Sequence, residues 1–369
     1  MTATLTEPLL VTAPRILGVG TAVPPESYTQ QDVLDLFGIE DPKVRSVFLK
    51  GAIDRRSLVL PPLAADGTRI MEAQGDLLDK HKAWAVGMGA NALSQCLKRI
   101  GADLSDVAHL CCVTSTGFLT PGLSALLIRD LGMDRHTSRA DIVGMGCNAG
   151  LNALNVVRGW AVANPGKLAV LVCAEACSAA YAMDGTMRTA VVNSLFGDGA
   201  AAIGILADQV GDKDAADFGS DLEGPRILKT ASIIITDATD AMRYDWDRDL
   251  GRFSFFLDPQ IPYVVGAHAE IVVDRLLAGT SLRRADIAHW LVHSGGKKVI
   301  DAVAVNLGLT RHDLRHTTGV LRDFGNVSSG SFLFSYDRLL QEGVVRPGDH
   351  GVLMTMGPGS TIETALIQW

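Results

Sequence analysis

The sequence predicts an α/β fold made of two related halves, each a buried sheet with helices on its faces. Three observations carry that expectation. Short motifs recur in the same order in both halves, apolar β-rich runs alternate with helical stretches, and one polar, acidic segment divides the two sets. "SDVAHL" at 105–110 is echoed by "ADIAHW" at 285–290, each after a helical-looking stretch and each running into an apolar strand. "GMGCNAG" is matched by "DFGNVSSG", which gives Cys147 and Asn326 corresponding places. "FGDGAAAIGIL" is answered by "MGPGSTIETALI", a Gly-x-Gly turn feeding a closing strand.

Residues 1–14 read as a tail, with neither the basic start nor the long apolar segment of a secretory signal. The first half spans 15–222. Within it "CCVTSTG" is a strand that sends Cys111 and Cys112 to opposite faces. Leu151 through Ala163 is apolar on most sides and reads as a buried helix. "LAVLVCAEA" reads as a buried strand, with Cys173 and Cys177 as core or pocket lining. The seam is "ADQVGDKDAADFGSDLEGPR" at 207–226, and the second half runs over 223–369.

Composition narrows the function. The chain has 369 residues, 47% apolar and 20% charged, enough for two core-bearing units. No apolar run reaches bilayer length, so a cytosolic protein without a membrane partner is expected. Six cysteines without framework spacing are then free thiols. A net charge of −8 argues against a nucleic-acid partner.

The glycines around Cys147 let the backbone turn sharply and let another group come close. Cys147 should sit at the first turn of the buried helix, where unpaired N–H groups and the dipole favour a thiolate. From the second half come His293, ending the strand "HWLVHSGG", and Asn326 in "DFGNVSSG". His293 could hold the cysteine as a thiolate, and the imidazole and the Asn326 amide could both donate to one developing oxyanion. Other motifs carry less. His312 and His316 stand four apart in "RHDLRH", but flanking charges suggest an exposed helix rather than a metal site. "GVGTAVP" lacks the third glycine of a dinucleotide fingerprint.

With these motifs in hand, the chain resembles the thiolase superfamily, and within it the type III polyketide synthases related to chalcone synthase. "GMGCNAG", "FGDGAAA", "HSGG", "GNVSSG" and "GPGSTIET" carry the likeness from about Arg15 to Trp369. It implies a thiolase-like fold with a duplicated αβαβα core, and Cys147, His293 and Asn326 as catalytic residues. Plant members usually read His-Pro-Gly-Gly where this chain has His293-Ser294-Gly295-Gly296, and carry threonines at Cys177 and Ala180. "QGDLLDKHK", "CCVTSTGFLTPGLSAL" and "DAMRYDWDRD" look more like the actinobacterial 3,5-dihydroxyphenylacetyl-CoA synthases, which serve the route to dihydroxyphenylglycine in glycopeptide antibiotics.

The resemblance implies malonyl-CoA as starter and extender, a homodimer, and no metal or other cofactor. It implies Phe196 and Phe255 as gating phenylalanines, with Cys177, Ala180 and Ser328 lining the substrate pocket. Lys50, Arg55 and Arg56 would form a patch for CoA phosphates. Thr120, in the loop Gly117–Gly122, would reach into the partner's cavity. An aldol closure between an inner methylene and the keto carbon near the starter end is the expected ring-forming step. Two alternatives stay open: a synthase making a pyrone or alkylresorcinol from another starter, and a non-catalytic acyl-CoA-binding protein on this scaffold.

Overall fold

A computed structural model describes residues 13–67, 69–180, 184–208 and 223–369. The expected tail over 1–14 and the seam over 207–226 lie largely outside the described residues. The chain opens with β1 (Arg15–Ala22) and an excursion of β2 (Ser27–Thr29), α1 (Gln30–Leu36), α2 (Pro42–Leu49) and β3 (Arg55–Ser57). There follow α3 (Gln74–Ile100), β4 (Val107–Val113), α4 (Leu123–Leu131), β5 (Ser138–Ile142) and α5 (Ala149–Ala163). Next come β6 (Leu168–Glu175), α6 (Met187–Leu195) and β7 (Gly199–Leu206). The second half has β8 (Arg226–Ile234), the hairpin β9 (Met242–Asp247) and β10 (Arg252–Leu257), then α7 (Ile261–Leu277) and β11 (His289–Val292). It closes with α8 (Lys297–Leu307), α9 (Arg315–Phe324), α10 (Ser331–Glu342), β12 (His350–Gly357) and β13 (Thr361–Gln368).

The strand order β11-β12-β13-β8-β1-β7-β6-β4-β5 repeats itself about the β8–β1 junction. On one side β1 runs antiparallel to β7, β7 antiparallel to β6, and β6 parallel to β4. On the other, β8, β13, β12 and β11 repeat the same three relations. The echo read in the sequence is thus an architectural one. It extends to single hydrogen bonds: the Asp103 N–H donates to Asp106 Oδ2 at 2.7 Å before β4, and the Arg283 N–H to Asp286 Oδ2 at 2.7 Å before β11.

Helices α5 and α10 pack on strands of both halves, while α3 and α4 cover the outer face of the first half and α7 that of the second. The result is the αβαβα layering. Strand alternation builds it, because both faces of each sheet are buried. On β6, Ala169, Leu171 and Cys173 meet the central helices, and Leu168, Val170 and Val172 meet the outer ones. Cys111 and Cys112 divide between the same two layers, as their adjacency on a strand requires. On β12, Leu353 faces the central layer and Val352 and Met354 the outer one. No helix among the described residues is long and apolar enough to cross a membrane.

The first half of the large sheet lies close on α3 because β1 carries Gly20. A Cβ there would stand 2.2 Å from the Ala92 carbonyl oxygen and 2.4 Å from the Cys96 nitrogen. Gly20→Ala is therefore expected to destabilise the fold by about 1–3 kcal/mol through overpacking. Thermal unfolding should report it as a melting point lowered by a few degrees, on the order expected for a chain of this size.

Candidate active site

Cys147 lies in the short turn Gly146–Asn148, directly before α5. The turn is built by close approach. A Cβ on Gly150 would lie 2.1 Å from the Ser329 carbonyl oxygen, and one on Gly357 would lie 2.4 Å from Asn148 Oδ1. Gly146 has φ +66° with the Pro358 ring against it, where any side chain would clash. Glycines from two distant motifs thus lock one turn in place.

The turn before α10 faces it. The side-chain Oδ1 of Asn326 accepts from the Ser328 N–H at 2.8 Å, which directs the amide NH₂ the other way, toward the cysteine sulfur. Ser328 has φ +50°, an uncommon left-handed conformation for a residue with a side chain, and its hydroxyl stands 3.6 Å from Cys147 Sγ. By helix starts, the place of Cys147 before α5 corresponds to Ser329 before α10, and Asn326 lies three residues upstream of it. The exact correspondence of Cys147 and Asn326 expected from the echo is corrected accordingly. The left-handed turn at Ser328 is what carries Asn326 back to the sulfur.

His293 follows β11, its N–H donating to the Met354 carbonyl at 2.8 Å, and its ring Nδ1 is hydrogen-bonded to the Ser331 hydroxyl at the start of α10. Burial pushes its pKa down to about 3, so the imidazole is neutral. Burial likewise pushes the Cys147 thiol up to about 12, against the hydrogen bonds of Ser328 and Asn326 that favour the thiolate. Burial thus opposes the thiolate–imidazolium pair expected from the sequence, while the hydrogen bonds of Ser328 and Asn326 favour its sulfur half. The sulfur's hydrogen-bonding neighbours are Ser328 and Asn326.

Sequence reasoning passed over Glu175. It ends the otherwise apolar β6, is fully buried, and accepts from the Ser115 N–H at 2.8 Å and the Ser115 hydroxyl at 2.9 Å. The hydroxyls of Ser329 and Ser328 donate to it as well, the latter at 3.3 Å. Burial raises its pKa, while those hydrogen bonds pull the other way. A carboxyl at the end of a buried strand was the available signal, because such residues are rarely buried without partners. It anchors Ser328, and through Ser328 the sulfur.

Around this centre Phe196 forms a parallel bridge with Asn326, and its ring meets Phe255 edge-on at 6.0 Å. Cys177 is buried in the wall of a cavity shared with Phe196, and Ala180 lines an adjoining one with Phe255. Thr120 is exposed, in a loop whose Phe118 is 79% exposed. Lys50 and Arg55 are exposed, but Arg56 is not part of a solvent-facing patch. It is 1% exposed and donates to the carbonyls of Asn193 at 2.7 Å and Phe196 at 2.6 Å, and to Gln30 Oε1 at 2.8 Å. Its role is to hold the phenylalanine's backbone. His316 is also buried, within 2.9 Å of Glu342, whereas His312 is exposed in the preceding turn, so the pair does not share the exposed helix expected of it. Among the described residues no cluster of three or more His, Cys, Asp or Glu is placed to hold a metal ion.

Cys147, 8% exposed, is the most accessible of six buried cysteines, so iodoacetamide should reach it first. With its thiol raised to about 12, alkylation should climb about tenfold per pH unit from neutrality upward, following the thiolate fraction. A plateau already reached at neutral pH, read by intact-protein mass, would show a resting thiolate instead.

Comparison with known proteins agrees with this geometry. The chain matches the chalcone and stilbene synthase N-terminal domain over residues 12–209 and the corresponding C-terminal domain over 247–369. It is 75% identical to a 3,5-dihydroxyphenylacetyl-CoA synthase of Streptomyces toyocaensis over 96% of this chain and 90% of that one. A synthase of the same name from Amycolatopsis balhimycina is 73% identical, over 96% and 93% of the two chains. Among solved structures, the 1,3,6,8-tetrahydroxynaphthalene synthase of Streptomyces coelicolor, a bacterial type III polyketide synthase, superposes with a TM-score of 0.84 at 26% identity, covering 96% of this chain and 99% of that one. The cysteine turn, the layered core and these likenesses lead to one conclusion: the chain belongs to the chalcone and stilbene synthase family, the type III polyketide synthases.

Proposed function

We propose that the chain is a 3,5-dihydroxyphenylacetyl-CoA synthase using malonyl-CoA as both starter and extender. The observation that carries this reading is the 75% identity with the Streptomyces toyocaensis synthase along nearly the whole chain. The buried meeting of thiol, amide and hydroxyl supplies the chemistry. Cys147 takes the acyl group, its proton passing to His293, while the departing CoA sulfur takes a proton from solvent. Asn326 and His293 then donate to the thioester oxygen of the next malonyl unit as CO₂ leaves and the enolate forms. Its carbon attacks the Cys147 thioester, the sulfur leaves and regains its proton from His293, and the chain returns to CoA one unit longer.

Phe196 and Phe255 give the malonyl carboxylate an apolar wall, which disfavours its charge and promotes its departure. Lys50 and Arg55 are the exposed cations suited to CoA phosphates, with Arg56 withdrawn from that role by its burial. A homodimer is part of the reading, supported by the exposed Phe118 and Thr120 in one loop.

Atom counting corrects the ring closure. An inner methylene attacking the carbonyl beside the starter methyl would leave that methyl on the ring and join the thioester carbonyl directly to it. A CH₂–CO–S arm requires the reverse. The starter methyl must be the nucleophile and the ketone nearest the thioester the acceptor, with one water lost.

Uniformly labelled malonyl-CoA should then give 3,5-dihydroxyphenylacetyl-CoA, or its free acid, with every acyl carbon labelled by mass spectrometry. Dominant pyrones, or dependence on an aromatic or long-chain starter, would overturn the assignment. Asn326→Ala should slow malonyl decarboxylation by about a hundredfold, the usual loss for one such donor. Acylation of Cys147 should be hurt less, and CO₂ release measured beside protein mass separates the two. Equal loss of both would make Asn326 a structural residue.

A further inference from the structure

Resting on the proposed reaction, we infer that Arg252 binds the distal 1,3-dicarbonyl of the finished tetraketide in its enolised form and so selects the starter methyl for ring closure. Arg252 opens β10 and is 5% exposed. It lines both the cavity containing Cys177 and Phe196 and the adjoining one containing Ala180 and Phe255. Among the described residues its side chain has no hydrogen bond or ion pair, an unusual state for a buried guanidinium. The acids around it are engaged elsewhere. Asp247, its cross-strand neighbour, pairs with Arg188 at 3.0 Å. Asp184 accepts from the Thr186 N–H and hydroxyl, each at 2.9 Å, and Glu72 pairs with Lys80 at 2.5 Å. The other arginines of the cavity are occupied too. Arg56 holds the carbonyls described above, and Arg69 donates to the Pro61 carbonyl at 2.7 Å. Arg252 is left as the lining cation of both cavities without a side-chain partner among the described residues.

A guanidinium presents two parallel N–H groups to a planar pair of oxygens, whether of a carboxylate or of an enolised 1,3-dicarbonyl. The malonyl carboxylate is the wrong occupant. A cation there would stabilise the ground state of the group that must leave as CO₂. Ring closure, by contrast, needs such a group. The starter methyl is flanked by one carbonyl and each methylene by two, so the methyl is the least acidic carbon of the chain. Holding the outer two oxygens as an enolised pair masks the methylene between them and polarises the outermost carbonyl.

The step balances without an outside base. A methyl hydrogen moves to the outermost carbonyl oxygen, giving a terminal enol. Its π pair forms the bond from the methyl carbon to the ketone carbon nearest the thioester. That ketone's π pair moves to its oxygen, which takes the enol proton. Water is then lost with a ring hydrogen, and the two remaining ketones tautomerise to phenols. Arg252 stays protonated throughout, acting by charge alone.

The test compares the purified full-length enzyme with Arg252→Met and Arg252→Lys. With labelled malonyl-CoA, Arg252→Met should lower the ratio of resorcinol to pyrone and methyl-bearing ring products about tenfold or more, the scale of one lost charged donor. Arg252→Lys should fall between, since the charge remains without the fork. An unchanged product ratio in Arg252→Met overturns the inference, as does a raised KM for malonyl-CoA with no change in ratio, which would assign Arg252 to the malonyl carboxylate. A second readout needs no turnover. Acetylacetone titrated with wild-type enzyme should gain enol absorbance, and with Arg252→Met should not; equal curves overturn the proposal. Should Arg252→Met unfold, the same comparison of wild type with Arg252→Lys decides it. If wild-type enzyme makes no resorcinol, the proposed reaction fails, while the acetylacetone curves still report on Arg252.

Discussion

Everything at the candidate active site depends on one close contact, that of the Gly150 Cα with the Ser329 carbonyl. A Cβ there would sit 2.1 Å from that oxygen, so no other residue lets the two central helices begin side by side. The starts of α5 and α10 therefore share one small volume, each with unpaired N–H groups and the positive end of its dipole. The placing of Cys147 beside Asn326 and Ser328 is a product of that meeting. Gly146 against Pro358 and Gly357 against Asn148 extend the same rule to β12, so three loops from both halves close on Cys147.

The second theme is neutrality. Burial raises Cys147 and Glu175 and lowers His293, and the partners supplied to them are mainly hydroxyls and an amide rather than charges. Burial of this kind opposes charge on each group, and the hydrogen bonds of the neighbouring side chains offset it in part. Donors fixed in a dry site then act on the enolate far more strongly than on the uncharged thioester, which is the differential that accelerates a step. Glu175 holds this lattice in register from behind, with Ser115, Ser328 and Ser329 around a single carboxyl.

The apolar rings and the guanidinium share one lining. Phe196 borders one cavity with Arg252, and Phe255 borders the adjoining one with the same residue. Decarboxylation profits from an environment that does not hold a carboxylate, and ring closure from one that holds paired oxygens. On the proposed reaction the two demands fall to neighbouring side chains, the rings meeting the first and Arg252 the second.

Much of the fold was legible in the sequence because its signals are local. Alternation assigned Cys111 and Cys112 to opposite layers, and the apolar run after Cys147 became α5. The echo of "SDVAHL" in "ADIAHW" foretold the repeated strand order, and glycines marked the turns that bring Cys147 and Asn326 together. What escaped was every property set by a distant partner. Arg56 looked like a surface cation beside Lys50 and Arg55, yet its guanidinium binds carbonyls 137 and 140 residues away. Glu175 looked incidental between two cysteines, and nothing in "RFSFF" marks Arg252 as buried without a partner. The pull of burial on Cys147 and His293 belongs to the same class. Residue type and spacing determine which groups can act and how the chain turns locally. Burial and hydrogen bonding, which fix charge, are sums over neighbours that only the tertiary structure assembles.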